Sequence, residues 1–179
     1  MRMAEMTFDE VREHLKPDST LCNRFGGIDM IFEIMRFTHL PELAKLYVQT
    51  YNAPPWFDGW TAETVEQKLS QMLKCEGSYG IVSKDTHGTI TGMIVGEKEI
   101  YYNCIQFFIK DFCVAYDLRG TGIGSELLKE LERQLVSMDI REMYLFTSRT
   151  DDTEGFYQKR GFTTWDGMVM MGKTINSKT

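Results

Sequence analysis

Residues 113–128 read CVAYDLRGTGIGSELL. Phe107, Phe108 and Ile109, then Phe112, Cys113 and Val114, form an apolar run that leads into Arg119-Gly120-Thr121-Gly122-Ile123-Gly124. Beyond it, Ile123, Leu127, Leu128, Leu131 and Leu135 recur at helical spacing, so the stretch predicts a strand, a glycine turn and a helix. Glycines at 120, 122 and 124 carry no Cβ, which lets backbone N–H groups approach a ligand, and the first helical turn leaves further donors without helical partners. Such a helix end favours phosphate or pyrophosphate, and Arg119 adds a fixed cation beside it.

Two familiar phosphate loops do not fit. No Gly-Lys-Ser/Thr follows, which excludes a P-loop, and the dinucleotide fingerprint requires a third glycine where Leu127 stands. The stretch instead resembles the acetyl-coenzyme A signature of the GNAT superfamily of N-acetyltransferases, Arg/Gln-x-x-Gly-x-Gly/Ala, which Arg119, Gly122 and Gly124 meet. Downstream, GFYQKRGF at residues 155–162 is similar to the family's FY-x-x-x-GF segment. The resemblance covers residues 30–175.

It implies an α/β (α+β) fold of the GNAT type, with a central mixed, mostly antiparallel sheet of about seven strands flanked by about four helices; pattern reading alone says only mixed α/β. It also implies roles. Backbone groups of Phe112, Cys113 and Val114 would bind the acetyl and pantetheine portions of acetyl-CoA, and Arg119, Gly120, Thr121, Gly122, Ile123, Gly124 and Ser125 its pyrophosphate. Tyr157, at the FY position, would protonate the departing thiolate. Thr150 stands where the family often has a pantetheine-binding Asn, Thr153 where it often has Ala, and Tyr116 where it often has Pro.

The loop at residues 52–60, NAPPWFDGW, cannot be helical through its paired prolines and carries three large aromatics. Trp56, Phe57 and Trp60 either plug the end of the core or, as the resemblance implies, line an acceptor-amine pocket with Asp58 as counter-ion. Lys110-Asp111 interrupts an apolar run, which places the pair at a solvent-facing bend or in the reaction cleft. Asp111 and Glu97 are the candidate general bases, with a water chain as the alternative. Cys113 has no histidine in the sequence pattern to activate it and reads as core.

The remaining elements follow from periodicity and punctuation. A strand opens at Met30, and a helix capped by Thr38 runs through Tyr51 with Pro41 in its first turn. Thr61 caps the next helix, with Thr64 where a capping box would have Glu. Strands are expected at 79–83, 89–97 and 105–115, with residues 97–103 a polar connection. The helix of the opening stretch occupies 122–137, a strand 142–147 and a short helix 153–160; 162–165 and 168–174 make a final hairpin around Asp166-Gly167.

Residues 1–29 read as an extension to the domain at 30–179. A helix is expected at 7–16, ended by Pro17, then a polar linker at 18–29 with a Gly26-Gly27 hinge. Either translation natively starts at Met30, or the segment is an arm that packs on a neighbour. The 179 residues, 42% hydrophobic and 12% aromatic, suit one globular domain. A charge of −6, from 20 basic and 26 acidic side chains with no basic cluster, disfavours nucleic acid and weakly suits a cationic substrate. No apolar run approaches the ~20 residues of a membrane span. The charged start is unlike a secretory signal, so a cytoplasmic protein is expected. The four cysteines, at 22, 75, 104 and 113, form no CxxC and no ligand spacing with the three histidines, so no metal is expected.

The function expected is therefore acetyl transfer from acetyl-CoA to a primary amine by direct attack in a ternary complex, the acceptor being a small molecule. The alternatives are a protein acetyltransferase, acting on an N-terminal amine or lysine, and a non-catalytic acyl-CoA binding or regulatory module. A homodimer is left open.

Overall fold

In the computed structural model, which describes residues 22–25 and 28–175, strand β1 (Cys22–Phe25) pairs antiparallel with β2 (Ile28–Ile34), Phe25 opposite Ile28 and Cys22 opposite Ile31. The linker expected there is an edge strand in its described part: the ladder of β2 offers hydrogen bonds that a polar segment can take as readily as an apolar one. The helix expected at 7–16, Pro17 and the Gly26-Gly27 hinge lie outside the described residues.

The chain forms two compact units, divided between Phe146 and Thr147. In the first, β3 (Ser78–Lys84), β4 (Ile90–Ile100), β5 (Ile105–Val114) and β6 (Glu142–Leu145) complete a sheet in the order β1-β2-β3-β4-β5-β6. Every neighbouring pair is antiparallel except β5 and β6, which are parallel. β4 runs three residues past its expected end because Lys98, Glu99 and Ile100 pair with Phe107, Gln106 and Ile105. A polar sequence on a long hairpin is still strand when its partner supplies the ladder.

Helices α1 (Leu40–Tyr51), α2 (Ala62–Lys74) and α3 (Ile123–Ser137) bury the faces their spacing marks. Leu43, Ala44, Val65 and Leu69 are fully buried against Val82, Met93, Val95 and Cys113 on one face of the sheet. A Cβ on Gly92 would lie 2.8 Å from Leu127 Cδ1. Because side chains alternate along β4, this sets α3 on the face opposite Met93 and Val95. α1 is entered through a 3₁₀ turn, Phe37–His39, so the expected cap Thr38 lies inside that turn; the N-cap position falls to His39, which makes no side-chain cap and whose Nδ1 accepts from the Arg36 N–H at 3.2 Å. α2 keeps its cap: Thr61 Oγ1 accepts from the Thr64 N–H at 3.2 Å, and Thr64 Oγ1 returns the bond to the Thr61 N–H at 3.0 Å, so a threonine does the work of the usual glutamate.

The second unit, from Thr147, contains the short helix α4 (Glu154–Gln158). It closes on Gly161, at φ +87°, with the Phe162 N–H reaching the Tyr157 carbonyl at 3.2 Å. The expected final hairpin reaches only its turn: the Met168 N–H bonds the Trp165 carbonyl at 3.2 Å, but no strand follows among the described residues. Met168 to Met171 are exposed, and a two-stranded ribbon without a buried face is marginal. The two missing strands and the gained β1 account for six strands among the described residues.

Candidate active site

The turn after β5 has the geometry that its glycines foretell. Gly120 (φ +75°) and Gly122 (φ +99°) are left-handed, which an L-residue adopts only at a cost, and a Cβ on Gly120 would meet nothing within 4 Å. The Thr121 hydroxyl closes the turn on the Leu118 carbonyl at 2.6 Å. Gly122 is the N-cap of α3 and supplies no side-chain cap; the Glu126 N–H bonds the Gly122 carbonyl at 3.1 Å as the helix begins. The Arg119 guanidinium lies over the Tyr116 ring, 5.0 Å from its centroid. Arg119 to Ser125 are thus one contiguous cradle of donors with a cation at its rim, a donor set that fits a diphosphate.

Beside the cradle the sheet opens. β6 pairs with β5 from Gln106–Glu142 to Ile109–Leu145 and goes no further, while β5 continues through Val114. Phe112, Cys113 and Val114 therefore keep a strand partner on the β4 side, at Ile94, Met93 and Gly92, and none on the β6 side. The register between β4 and β5 slips between Val95 and Gly96, leaving Lys110 as the extra residue of a bulge. The two members of the charged pair part ways here. Lys110 is exposed and ion-paired to Glu97, whereas Asp111 is turned inward and 8% exposed.

Asp111 is met there by residues of α1 and α2. Tyr47 donates its hydroxyl to Oδ1 at 2.9 Å, and Lys68 Nζ forms an ion pair with Oδ2. Lys68 also donates to the Tyr47 oxygen at 3.1 Å and lies 5.7 Å from the Trp60 ring centroid. A row of rings extends outward: Trp60 edge-on to Tyr47 at 5.3 Å, Tyr47 against Tyr51 at 4.3 Å, and Tyr51 near Trp56 at 6.1 Å. Tyr51 in turn donates to the Phe112 carbonyl at 3.2 Å. Burial and the adjacent Asp111 charge push the Tyr47 phenol well above its ordinary value, so it remains a donor.

The expected residues Trp56, Trp60, Asp111 and Phe112 are thereby joined in one cluster. Phe57 is not: it stands 71% exposed at φ +53°, outside the row. Asp58 accepts from Trp60 Nε1 at 3.0 Å, holding that ring in place. Both candidate bases are engaged, Asp111 with Lys68 and Glu97 with Lys110. The Cys113 thiol is packed into the α1/α2 core, and burial, with Asp111 nearby, pushes it up to about 12, consistent with a core role for its side chain.

Tyr47, Tyr51 and Lys68 are site residues that the sequence reading passed over as scaffold. Lys68 carried a signal: with Val65, Leu69 and Met72 it completes the i, i+3, i+4, i+7 stripe that faces the core, where a lone ammonium needs a partner.

In the second unit, burial pushes the Tyr157 phenol up to about 12. The Phe162 and Phe156 rings lie 5.4 and 5.1 Å from its own. The Thr150 hydroxyl is engaged at 2.8 Å with that of Thr153, and it accepts from the Thr153 N–H at 3.2 Å, bracing the start of α4. Among the described residues no group of three or more His, Cys, Asp and Glu side chains is arranged to hold a metal, and no helix is long and apolar enough to cross a membrane.

Comparison with known proteins accords with this geometry. A comparison with curated proteins returned no match. Among solved structures, an integron cassette protein from the mobile metagenome of V. cholerae superposes with a TM-score of 0.70 at 18% identity, over 82% of this chain and 93% of that one. An aminoglycoside N-acetyltransferase solved in complex with coenzyme A gives 0.64 at 18% identity, over 83% and 97%. Glucosamine-6-phosphate N-acetyltransferase from Arabidopsis thaliana gives 0.62 at 16%, over 82% and 99%. The family model described as an acetyltransferase (GNAT) domain matches residues 47–172, which span the aromatic loop, the glycine cradle and the FY segment alike. The chain therefore belongs to the GNAT family of acetyltransferases.

Proposed function

We propose that the protein transfers the acetyl group of acetyl-CoA to a primary amine of a small molecule, by direct attack of the amine on the thioester. The observation that carries this reading is the pairing of an uncapped, two-glycine helix start with a β5 edge that loses its β6 partner after Ile109. Bound acetyl-CoA would supply an already activated acyl group, so no covalent enzyme intermediate is required. Amides of residues 122–125 and the Arg119 guanidinium hold the diphosphate. The backbone along Phe112, Cys113 and Val114, whose Phe112 carbonyl is braced by the Tyr51 hydroxyl at 3.2 Å, receives the extended arm of the cofactor, and an N–H there stabilises the oxyanion as the carbonyl is attacked.

Asp111 receives the proton that the amine must lose, and Tyr157 gives one to the thiolate. A phenol at about 12 is fully protonated at neutral pH, so Tyr157 stands in the donor form. The desolvation that raises the phenol raises a thiolate's proton affinity as well. Trp56 and Trp60 line the acceptor side. A small amine is favoured because two similar structures are those of an aminoglycoside N-acetyltransferase and a glucosamine-6-phosphate N-acetyltransferase.

Calorimetric titration with acetyl-CoA and a thermal shift in its presence test the reading. Saturating cofactor at a hundred times its dissociation constant is expected to add about 2.7 kcal/mol to stability. Release of coenzyme A thiol over a panel of primary amines then tests transfer. A chain that neither binds acetyl-CoA nor is stabilised by it would overturn the proposal.

A further inference from the structure

The acceptor-side cluster contains a cation receptor that the chain itself fills. Lys68 Nζ is ion-paired to Asp111 Oδ2, donates to Tyr47 at 3.1 Å, and lies 5.3 and 5.7 Å from the centroids of the Tyr47 and Trp60 rings. A carboxylate, a phenol oxygen and two ring faces are the partners a desolvated primary ammonium needs. None of these partners reads anything of the lysine beyond its ammonium, so they serve equally for an ammonium on another unbranched stem.

The two halves of the ion pair are unequally sealed, with 7% of the Asp111 side chain exposed and 31% of Lys68. The carboxylate is locked in the fold by Tyr47, whereas the ammonium sits at the end of a flexible four-carbon stem with a route to water. The receptor also adjoins the reactive edge: Asp111 immediately precedes Phe112, whose carbonyl accepts from Tyr51, the next ring in the same row.

We propose that Asp111, Tyr47 and Trp60 form the receptor for the acceptor's primary ammonium and that Lys68 is an internal occupant displaced when the acceptor enters. The enzyme is then selective for amines carried on unbranched alkyl stems, and Lys68 sets the threshold that such an amine must exceed. This inference rests on the acetyltransferase reading above. A purely structural ion pair predicts something different: its lysine is never displaced, so an added amine binds only after Lys68 has been removed and not to the wild type.

The test uses the full chain, without acetyl-CoA, and butylammonium and tetramethylammonium as probes in calorimetry and thermal melting. Lys68→Ala is expected to melt below the wild type and to be restored by butylammonium, but not by tetramethylammonium, which has no N–H to donate. Butylammonium is expected to bind Lys68→Ala at least roughly tenfold more tightly than wild type, a gain that Asp111→Asn removes. Lys68→Met, which retains the apolar stem, serves if the alanine variant does not fold, and should rank the two amines in the same order. No binding of butylammonium to the wild type, equal binding to wild type and variant, or a gain that survives Asp111→Asn would overturn the proposal. Coenzyme A titrated separately reports on the acetyltransferase reading, so a failure of nucleotide binding and a failure of amine binding are told apart.

Discussion

Tyr157 and Cys113 are each raised to about 12, by burial in both cases, yet they lead to opposite expectations. For the tyrosine, a retained proton is the useful state. Tyr157→Phe is expected to lower kcat by roughly a hundredfold, within the usual range for a general acid, while leaving acetyl-CoA affinity in calorimetry unchanged. Unchanged turnover would remove the assigned role. For the cysteine, a retained proton means inertness, since only the thiolate is nucleophilic. Iodoacetamide at mildly alkaline pH is expected to modify exposed Cys75 and spare buried Cys113 in the folded protein, as read by peptide mass spectrometry. Rapid labelling of Cys113 would contradict the packing described for it.

At the scale of elements, the bulge between β4 and β5 decides what the site contains. Gly96 sits where the register slips, and a Cβ there would lie 2.1 Å from the Phe108 carbonyl oxygen and 2.7 Å from the Phe107 ring. The first of these atoms is backbone and cannot swing aside. Gly96→Ala is therefore expected to cost about 3 kcal/mol in urea denaturation, the upper end for overpacking, and to weaken acetyl-CoA binding because β5 must shift to make room. A variant of wild-type stability would show that the slip tolerates a side chain. The α1 and α2 caps follow a simpler logic: Thr61 was legible from its position, whereas the His39 bond to Arg36 depends on a 3₁₀ turn that no periodicity announces.

For the molecule as a whole, His39 ties acid stability to the first unit. Its imidazole lies 3.3 Å from Glu33, which favours the protonated form, but burial and the neighbouring Lys84 outweigh that contact and lower its pKa from 6.5. Burial dominates because only 11% of the side chain is exposed and Glu33 is itself paired with Lys84 at 2.7 Å. A lowered value in the fold means that the unfolded chain takes up more protons below pH 6.5. Stability should thus be insensitive to His39 above that pH and fall as the pH drops below it, down to the folded value. His39→Gln is expected to flatten the loss just below pH 6.5 in urea midpoints; an unaltered slope would assign it to carboxylates instead.

Much of the architecture could be read from the chain because it is local. The helix faces, the Thr61 cap and the left-handed glycines at 120 and 122 depend on neighbours within a turn or two, where spacing and backbone sterics decide. The two faces of the Lys110-Asp111 pair, the β1 edge and the cage around Lys68 were not readable in this way. Asp111 meets Lys68 across 43 positions and Tyr47 across 64. Ordinary alternation already parts Lys110 from Asp111, but the one-residue slip, which leaves Ile109 opposite Gly96 and Asp111 opposite Val95, decides that the aspartate shares the face of Val95, and such facing is a property of register between strands and not of either strand alone.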